Sequence, residues 1–313
     1  MTTTIVDPSR SRGLYRFLRS IPTWVLWLLV VVWVIPTLGL LVNSFRDRQS
    51  QTTSGWWTVF LGNLDGFTIE NYQQVLDPGL TGGMRDGLTN SLAIALPATI
   101  IPIGIAAFAA YAFAWIDFRG REVLFIATVS LLAIPLQIAL VPLVQLYAGG
   151  AHLTIPWLDK TITVFPDLDI YGTTTAVWLS HAAFGLPFAI FLLHNYISSL
   201  PRDLFEAARI DGADHFKIFW RLVLPLSVPV LAAFAIFQFL WTWNDYLVAV
   251  VMIGVNSQNW PSTISIANQA GEFGQQEHIL TAGAFIQAAV PLAVFFLLQR
   301  FFVRGILAGS VKG

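Results

Sequence analysis

The chain contains no cysteine and little charge. Only 11% of its 313 residues are charged, and 17 Lys and Arg against 18 Asp and Glu give a net charge of −1. The absence of cysteine excludes thiol catalysis, cysteine-ligated zinc and iron–sulfur clusters. The near-neutral balance offers no basic surface for a nucleic acid. Because soluble domains carry about 25% charged residues, this chain is too poor in charge to cover a core in water.

Sites for ATP and metals are also missing from the sequence. No G-x-x-x-x-G-K-[ST] phosphate loop occurs, and the only lysines are Lys160, Lys217 and Lys312. No two histidines have metal-ligand spacing, and no apolar run carries a nucleophile with a base. We therefore expect no enzyme activity, no metal site and no cofactor bound by this chain.

Apolar residues are what the chain has in excess. Hydrophobic residues make up 56%, with 24 Phe and 12 Trp. A membrane-spanning helix needs about 20 apolar residues. The sequence predicts an all-α membrane protein with six transmembrane helices, the first of them too long to be a cleaved signal peptide. The predicted spans are Trp24–Ser44, Thr89–Trp115, Glu122–Ala148, Thr173–Ser198, Val223–Ile253 and Leu280–Arg304.

The basic residues predict the orientation. With the N-terminus inside, 13 of the 17 Lys and Arg lie on the inner side. We therefore expect a multi-pass protein of a bacterial or archaeal cytoplasmic membrane, with both termini cytoplasmic. The predicted segments are a cytoplasmic tail at 1–20, the first helix and an outer loop at 21–88, a five-helix core at 89–304 with a cytoplasmic loop at 200–222, and a tail at 305–313.

Two outer segments have recognisable patterns. A short helix is predicted after Thr68, with Tyr72, Val75 and Leu76 on its apolar face and an end at Asp77-Pro78-Gly79. Residues 149–172 contain two prolines and three aspartates and are predicted to form an ordered surface loop.

The cytoplasmic loop predicts a helix, a turn and a second helix. Pro201 suits a first helical position, Gly212 a left-handed stop, and Asp214 an N-cap. Ala207 and Ala208 would form a small-residue knob, edged by Glu206, that fits a cleft on another protein. An amphipathic linker with no partner is the alternative. The predicted apolar face consists of Leu204, Phe205, Ala208 and Ile210.

This loop resembles a known signature. Glu206-Ala207-Ala208, three residues, Gly212, nine residues and Leu222-x-Leu224-Pro225 resemble the EAA loop of permease subunits of binding-protein-dependent ABC importers. Leu222 stands where the pattern usually has Ile. Further segments resemble the second permease of maltose- and α-glucoside-type systems, and the likeness extends from Phe67 to Gly313. They are Phe67 to Tyr72, Asn90-Ser91-Leu92, Trp243-Asn244-Asp245 and the C-terminal Gly305 to Gly313.

The resemblance implies a type I ABC importer permease fold and ATP-driven sugar import. The chain would form half of the pathway as a heterodimer with a second permease in the lipid bilayer. A separate ATPase dimer would use ATP and Mg, and an extracytoplasmic sugar-binding protein would deliver the sugar. The residues implied to contact the ATPase are Glu206, Ala207, Ala208, Asp211 and Gly212 in the loop and Gly309, Val311 and Lys312 in the tail; a frayed terminus is the alternative for the tail.

Polar side chains within the spans are candidates for the substrate pathway. Gln238, Trp241, Thr242 and Asp245 follow i, i+3, i+4, i+7 spacing, which predicts one helix face. Trp241 would stack on a sugar ring while polar groups bind its hydroxyls. Alternatively, Trp243-Asn244-Asp245 anchors the outer interface, and the glutamines bond across helices. The remaining pathway candidates are Asn244, Gln137, His181 and Gln287.

The sequence does not identify the sugar. By resemblance we expect an α-linked di- or oligosaccharide, with a polyol or glycerol-phosphate-type solute as the alternative. A stand-alone secondary transporter is a further alternative, against which the chain shows no inverted repeat by inspection.

Overall fold

A computed structural model describes residues 22–77, 83–155, 157, 159–269 and 276–310. The protein is mostly helical in these ranges. In chain order the elements are α1 (Thr23–Ser44), α2 (Arg48–Thr53), α3 (Glu70–Val75), α4 (Met84–Trp115), α5 (Arg121–Ser130), α6 (Leu136–Gly149), β1 (Ala151–Ile155), β2 (Lys160–Phe165), α7 (Thr174–Ser198), α8 (Arg202–Ile210), α9 (His215–Ile218), α10 (Leu224–Leu226), α11 (Val228–Trp243), α12 (Leu247–Ile253), α13 (Ser262–Gln269) and α14 (Glu277–Ser310).

Four helices are individually long and apolar enough to cross a membrane, namely α1, α4, α7 and the Glu277–Gln299 part of α14. Two further candidates are bent pairs. Arg121–Ala133 meets Leu136–Gly149 at 101°, and His215–Leu226 meets Val228–Trp243 at 68°. The described residues therefore provide four to six candidate spans.

The third predicted span, Glu122–Ala148, is not one straight helix. After α5 the chain makes a 3-10 turn at Leu131–Ala133, and Ile134 is extended with ψ 116°. Pro135 follows and is the N-cap of α6. The residue before a proline is disfavoured in the helical region, which explains the break. The hydrophobicity of the sequence did not reveal the break, because residues 131–135 are all apolar and continue the hydrophobic run of the predicted span.

The fifth predicted span, Val223–Ile253, is broken twice. The chain makes a π-helical turn at Phe219–Val223 and bends at Ser227, where Pro229 lies in the first turn of α11. Proline lacks the N–H that would continue the preceding helix. The second break separates Trp243, the last residue of α11, from Leu247, the first of α12. Asp245 therefore lies beyond the helix on which its spacing had placed it.

The segment after α6 is ordered, but it is a β-hairpin, which corrects the all-α expectation. β1 pairs antiparallel with β2, with Leu153 opposite Ile162 and Thr154 opposite Thr161. The alternation of aliphatic residues with Thr is a strand pattern that the sequence analysis missed. Every residue of β2 is exposed.

Small residues build the centre of the helical bundle. α4 packs along α7 and α11, and α11 also packs on α14. Ala95, Ala98, Ala106 and Ala110 of α4 are fully buried. Short side chains let membrane helices approach closely, so α4 is the central helix of the bundle.

The loop after α1 is fixed by one buried arginine and one buried asparagine. The Nη atoms of Arg46 donate to Asn43 Oδ1 (3.1 Å) and to the carbonyl of Ser50 (2.7 Å). The side chain of Asn71, on the predicted short helix α3, donates to the carbonyls of Ser44 and Arg46, both at 2.9 Å. The prediction of a short helix after Thr68 is confirmed, but Leu76 follows the helix and is exposed, so it does not belong to the buried face, and Pro78 and Gly79 lie outside the described residues.

Candidate functional site

The loop at 200–222, predicted to be cytoplasmic, folds as the expected helix, turn and helix. α8 ends in a Schellman motif: the N–H of Ala213 donates to the Ala208 carbonyl and that of Gly212 to the Arg209 carbonyl. Gly212 has a φ of +75°, a backbone conformation that residues other than glycine rarely adopt. Asp214 accepts a hydrogen bond from the Lys217 N–H at 2.8 Å and caps α9. Local sequence therefore fixes the geometry of this loop.

α8 presents the EAA-type residues outward. Glu206, Ala207, Asp211 and Gly212 are exposed, and Ala208 is half-buried. Space around Gly212 is open, since a Cβ there would meet no atom within 4 Å. The surface consists of one small-residue ridge with carboxylates at its edges, and it offers a shallow contact to another protein.

The predicted apolar face of α8 is only partly correct. Phe205 is buried, but Leu204 is exposed and Ile210 is 86% exposed. Ile210 is the last residue of a nine-residue helix, where the chain already turns away from the bundle. Phe205 alone anchors this helix deeply, so Ile210 joins the outward surface.

Aromatic residues of α4 form the support beneath this loop. Trp115 stacks on Phe205 with ring centroids 3.6 Å apart. The Tyr111 hydroxyl lies 2.8 Å from His215 Nδ1. Neither α4 residue was among the predicted site residues, although their spacing of four places them on one helix face.

Gln238 ties three helices together in the middle of the bundle. Its Nε2 donates to the Ala98 carbonyl of α4 (3.2 Å) and to the His181 carbonyl of α7 (3.1 Å). A Cβ at Gly185 would collide with the Gln238 amide, so this glycine leaves the space for the side chain. The structure therefore places Gln238 in an interhelical bridge, in agreement with the alternative that glutamines bond across helices.

His181, Trp241 and Asp245 come together beside this bridge. His181 Nε2 lies 3.4 Å from Asp245 Oδ2, which is longer than a good hydrogen bond. The rings of His181 and Trp241 meet edge to face with centroids 5.0 Å apart. We call His181, Trp241 and Asp245 the polar cluster. Among the described residues, both nitrogens of His181, Thr242 Oγ1 and the Oε1 of the neighbouring Gln238 are buried without a hydrogen-bond partner.

The break after α11 aims Asp245 at His181. Asp245 Oδ2 accepts from the Ala249 N–H at 3.1 Å and so caps α12. Its carbonyl accepts from Thr263 Oγ1 at 2.8 Å. These two bonds hold the non-helical residues in place, which places Asp245 beside His181 although both lie far apart in sequence.

Other pathway candidates lie elsewhere. Asn244 is exposed and donates to the Leu240 carbonyl. Gln137 is exposed on α6, and the backbone carbonyl of Gln287 accepts from Trp243 Nε1 at 3.1 Å. Within the described ranges, no hydrogen bond joins any of these side chains to the polar cluster. Trp243 is 1% exposed and packs on Phe239, so it is a core residue within this chain.

An apolar cavity of about 520 Å³ borders Trp241. It lies where α5 and α6 bend away from each other and reaches α7 at Ala183 and Pro187. The cavity and the polar cluster share Trp241, so an apolar and a polar surface adjoin at one side chain.

The outer end of α4 holds the loop before α13. Asn90 Nδ2 donates to the carbonyls of Gln258 (2.8 Å) and Trp260 (3.0 Å). Ser91 Oγ lies 2.9 Å from Ser262 Oγ. The Asn90-Ser91 segment thus has a structural task in positioning this loop.

The tail predicted to contact an ATPase is outside this geometry. Val311 and Lys312 lie outside the described residues. Gly309 belongs to α14, but side chains beyond Gln299 are not described. The tail contact stays a prediction.

Comparison with known proteins gives a consistent result. The family described as binding-protein-dependent transport system inner membrane component matches residues 100–308. The osmoprotective compounds uptake permease protein GgtD of Synechocystis is 48% identical, with 100% of both chains covered. The alpha-glucoside transport system permease protein AglG of Rhizobium meliloti is 39% identical and covers 94% of this chain and 98% of its own.

A solved structure shares the fold. It is a bacterial ABC transporter involved in the import of the acidic polysaccharide alginate, with a TM-score of 0.67 at 17% identity, covering 96% of this chain and 100% of the other. The predicted resemblance to ABC importer permeases is confirmed. The chain belongs to the family of inner membrane components of binding-protein-dependent transport systems.

Proposed function

We propose that this chain is one permease subunit of an ATP-driven sugar importer and forms half of its translocation pathway. It crosses the membrane six times, with each bent pair as one span and both termini in the cytoplasm. A second permease pairs with it, and a separate ATPase pair binds ATP and Mg. A sugar-binding protein delivers the substrate from outside.

The observation that carries this proposal is the rigid presentation of the EAA-type surface on α8. The Schellman motif, the Asp214 cap and the buried Phe205 fix the backbone, while Glu206, Asp211 and Gly212 face outward. A surface whose own hydrogen bonds are satisfied loses little conformational freedom on docking. This supports docking of α8 into a cleft of the ATPase, with Ala207 and Ala208 allowing close approach.

The substrate is proposed to be an α-linked di- or oligosaccharide, because the name of AglG assigns it to alpha-glucoside transport. The similarity to GgtD, whose name refers to osmoprotective compounds, favours a second candidate, a small polyol-type solute. Both have hydroxyl groups on an apolar C–H framework, so the same type of site suits either.

The polar cluster and the adjoining cavity are proposed to line the pathway. Trp241 offers an aromatic edge next to the apolar cavity, and His181 and Asp245 offer a donor and an acceptor. Buried polar atoms without partners are costly and favour a polar ligand. Gln238 is assigned a structural role instead, because both its amide hydrogens are bonded to backbone carbonyls, although its buried Oε1 has no partner among the described residues.

The test of the coupling proposal compares two glycines in the assembled importer. Gly212 (φ +75°) and Gly120 (φ +84°) both lie in cytoplasmic turns of the proposed topology, and a Cβ at either would meet no atom within 4 Å. Alanine at either position carries the same backbone strain of about 1–2 kcal/mol. We expect Gly212→Ala to lower sugar uptake per ATP and Gly120→Ala to leave it unchanged. Equal effects would contradict a coupling role of the Gly212 turn.

The substrate test uses the purified sugar-binding protein encoded with this chain and competing solutes. We expect an α-glucoside to displace a labelled ligand and to stimulate ATP hydrolysis by the importer. Displacement by a polyol alone would support the second candidate.

A further inference from the structure

The cytoplasmic end of α4 carries three aromatic residues on one face. Phe108, Tyr111 and Trp115 follow i, i+3, i+7 spacing, so their side chains lie along one line of the helix surface. All three contact the cytoplasmic helix pair or the turn that follows it. We call these three residues the aromatic row.

Trp115 makes the closest of these contacts. Its ring stacks on Phe205 at 3.6 Å with 16° between the planes, and Phe205 is the one buried residue of α8. Trp115 Nε1 also donates to the Ile197 carbonyl of α7 at 3.1 Å. One side chain thus links α4, α7 and α8.

The other two residues secure the second half of the loop. The Tyr111 hydroxyl meets His215 Nδ1 at 2.8 Å, at the start of α9. Phe108 stacks on Phe219 with ring centroids 4.5 Å apart, at the start of the π-helical turn. Together the contacts fix both short helices against α4.

The alternative route from the loop into the bundle follows the chain itself. That route passes through the π-helical turn at Phe219–Val223 and the 68° bend at Ser227 before it reaches α11. At breaks of this kind the ladder of backbone hydrogen bonds is interrupted, so the chain does not continue as one helix. α4, by contrast, runs as one helix from Met84 to Trp115 and is not interrupted at Pro97 or Pro102.

The aromatic row also lies close to the proposed pathway along α4. Ala98, whose carbonyl accepts the Gln238 amide, precedes Phe108 by ten residues. Ten residues of α-helix span about 15 Å. A displacement of the cytoplasmic end of α4 is therefore communicated to the helix crossing beside the polar cluster.

We propose that the aromatic row is the joint through which movement of α8 and α9 reaches the membrane helices, and that Trp115 is its main positioning residue, acting through Phe205. This proposal rests on the proposed function, because it concerns how an ATPase docked on α8 drives the pathway. The joint keeps α8 fixed to α4, so that the two move as one body.

The experiment uses the complete importer in proteoliposomes and measures sugar transported per ATP hydrolysed. We expect Trp115→Leu to lower this ratio by about threefold to tenfold, the range that loss of an aromatic pair represents. The KM for ATP should be unchanged, because Trp115 contacts α8 from the side of the bundle and the sequence contains no phosphate loop that would bind ATP. Trp115→Phe keeps a ring against Phe205 and should recover most of the wild-type ratio.

A matched control lies on the same helix. Phe113 packs on Phe118 and Phe125, away from α8 and α9, whereas Phe108 packs on Phe219. Phe108→Leu should lower the ratio and Phe113→Leu should not. If Trp115→Leu prevents assembly of the importer, the comparison of Phe108→Leu with Phe113→Leu still tests the proposal.

A double variant tests whether Trp115 acts through Phe205. If the two rings work as one contact, Trp115→Leu/Phe205→Leu should be no worse than the worse single variant. The proposal would be overturned if the effects of the two single variants multiplied in the double variant. It would also be overturned if the ratio were unchanged in both Trp115→Leu and Phe108→Leu. A wild-type importer without ATP-driven uptake would instead refute the proposed function.

Discussion

The helix pair α8–α9 and the polar cluster use polar groups in opposite ways. In α8 and α9 the charged side chains face outward, and the backbone is capped by Gly212 and Asp214. In the polar cluster His181 is completely buried, and its nitrogens lack a hydrogen-bond partner among the described residues. The backbone of the helix pair is hydrogen-bonded before it meets another protein. The polar cluster, in contrast, has nitrogens that lack a partner in the described part of the chain and to which a small polar molecule can bind.

The largest expected effect concerns the charge in the polar cluster. Asp245→Asn keeps the shape and the cap on α12 but removes the carboxylate beside His181. Since a hydrogen bond to a charged group contributes about 1.5–3 kcal/mol, sugar uptake at low concentration should fall by about tenfold or more. Uptake of labelled sugar by the reconstituted importer measures this.

The neighbouring Asn244→Ala is the control for this variant, because Asn244 is exposed and bonds only the Leu240 carbonyl. An equal loss of sugar uptake in both variants would show that the break between α11 and α12, rather than the polar cluster, determines uptake.

An intermediate effect is expected at the helix crossing. Gln238→Leu removes both amide donors from the carbonyls of Ala98 and His181. Interhelical hydrogen bonds in membranes contribute about 1–2 kcal/mol or less each. Thermal unfolding of the purified importer should therefore shift to lower temperature, with substrate preference retained. Gln137→Leu, at an exposed position of α6, should not shift it. A changed substrate preference would return Gln238 to the pathway.

The smallest effect concerns the cap of α9. Asp214→Ala removes the acceptor of the Lys217 N–H and should cost about 1 kcal/mol of local stability. Hydrogen exchange at the Lys217 amide should become faster while the membrane helices stay protected. Asp203, in the first turn of α8, offers a control, because Asp203→Ala removes a carboxylate without removing this cap. Unchanged exchange in Asp214→Ala would mean that tertiary contacts alone hold α9.

Local patterns predicted the cytoplasmic loop well, because its turn and caps depend on Gly212 and Asp214 themselves. The same reasoning failed where apolar runs are uniform. Prolines accompany the breaks at Pro135 and Ser227, but α4 continues through Pro97 and Pro102, so a proline in an apolar run does not by itself tell a broken helix from a continuous one. Asp245 illustrates both outcomes, since it lies off the predicted helix yet beside the predicted His181.

The partners of the candidate residues were the least predictable part. Gln238 was selected as polar and intramembrane, but its bonds to two backbone carbonyls depend on how three helices cross. Trp115 and Tyr111 are aromatic residues near the end of an apolar run, which is a common place for them in any membrane protein. Only packing distinguishes them from interfacial residues.

The space that Gly185 leaves for Gln238 has a consequence for the evolution of this chain. The two positions lie on different helices, and a side chain at one collides with the amide at the other. Gain of a side chain at position 185 should therefore accompany replacement of the glutamine by a smaller residue. In an alignment of related sequences, positions 185 and 238 should change together, and a change at only one of them should be rare.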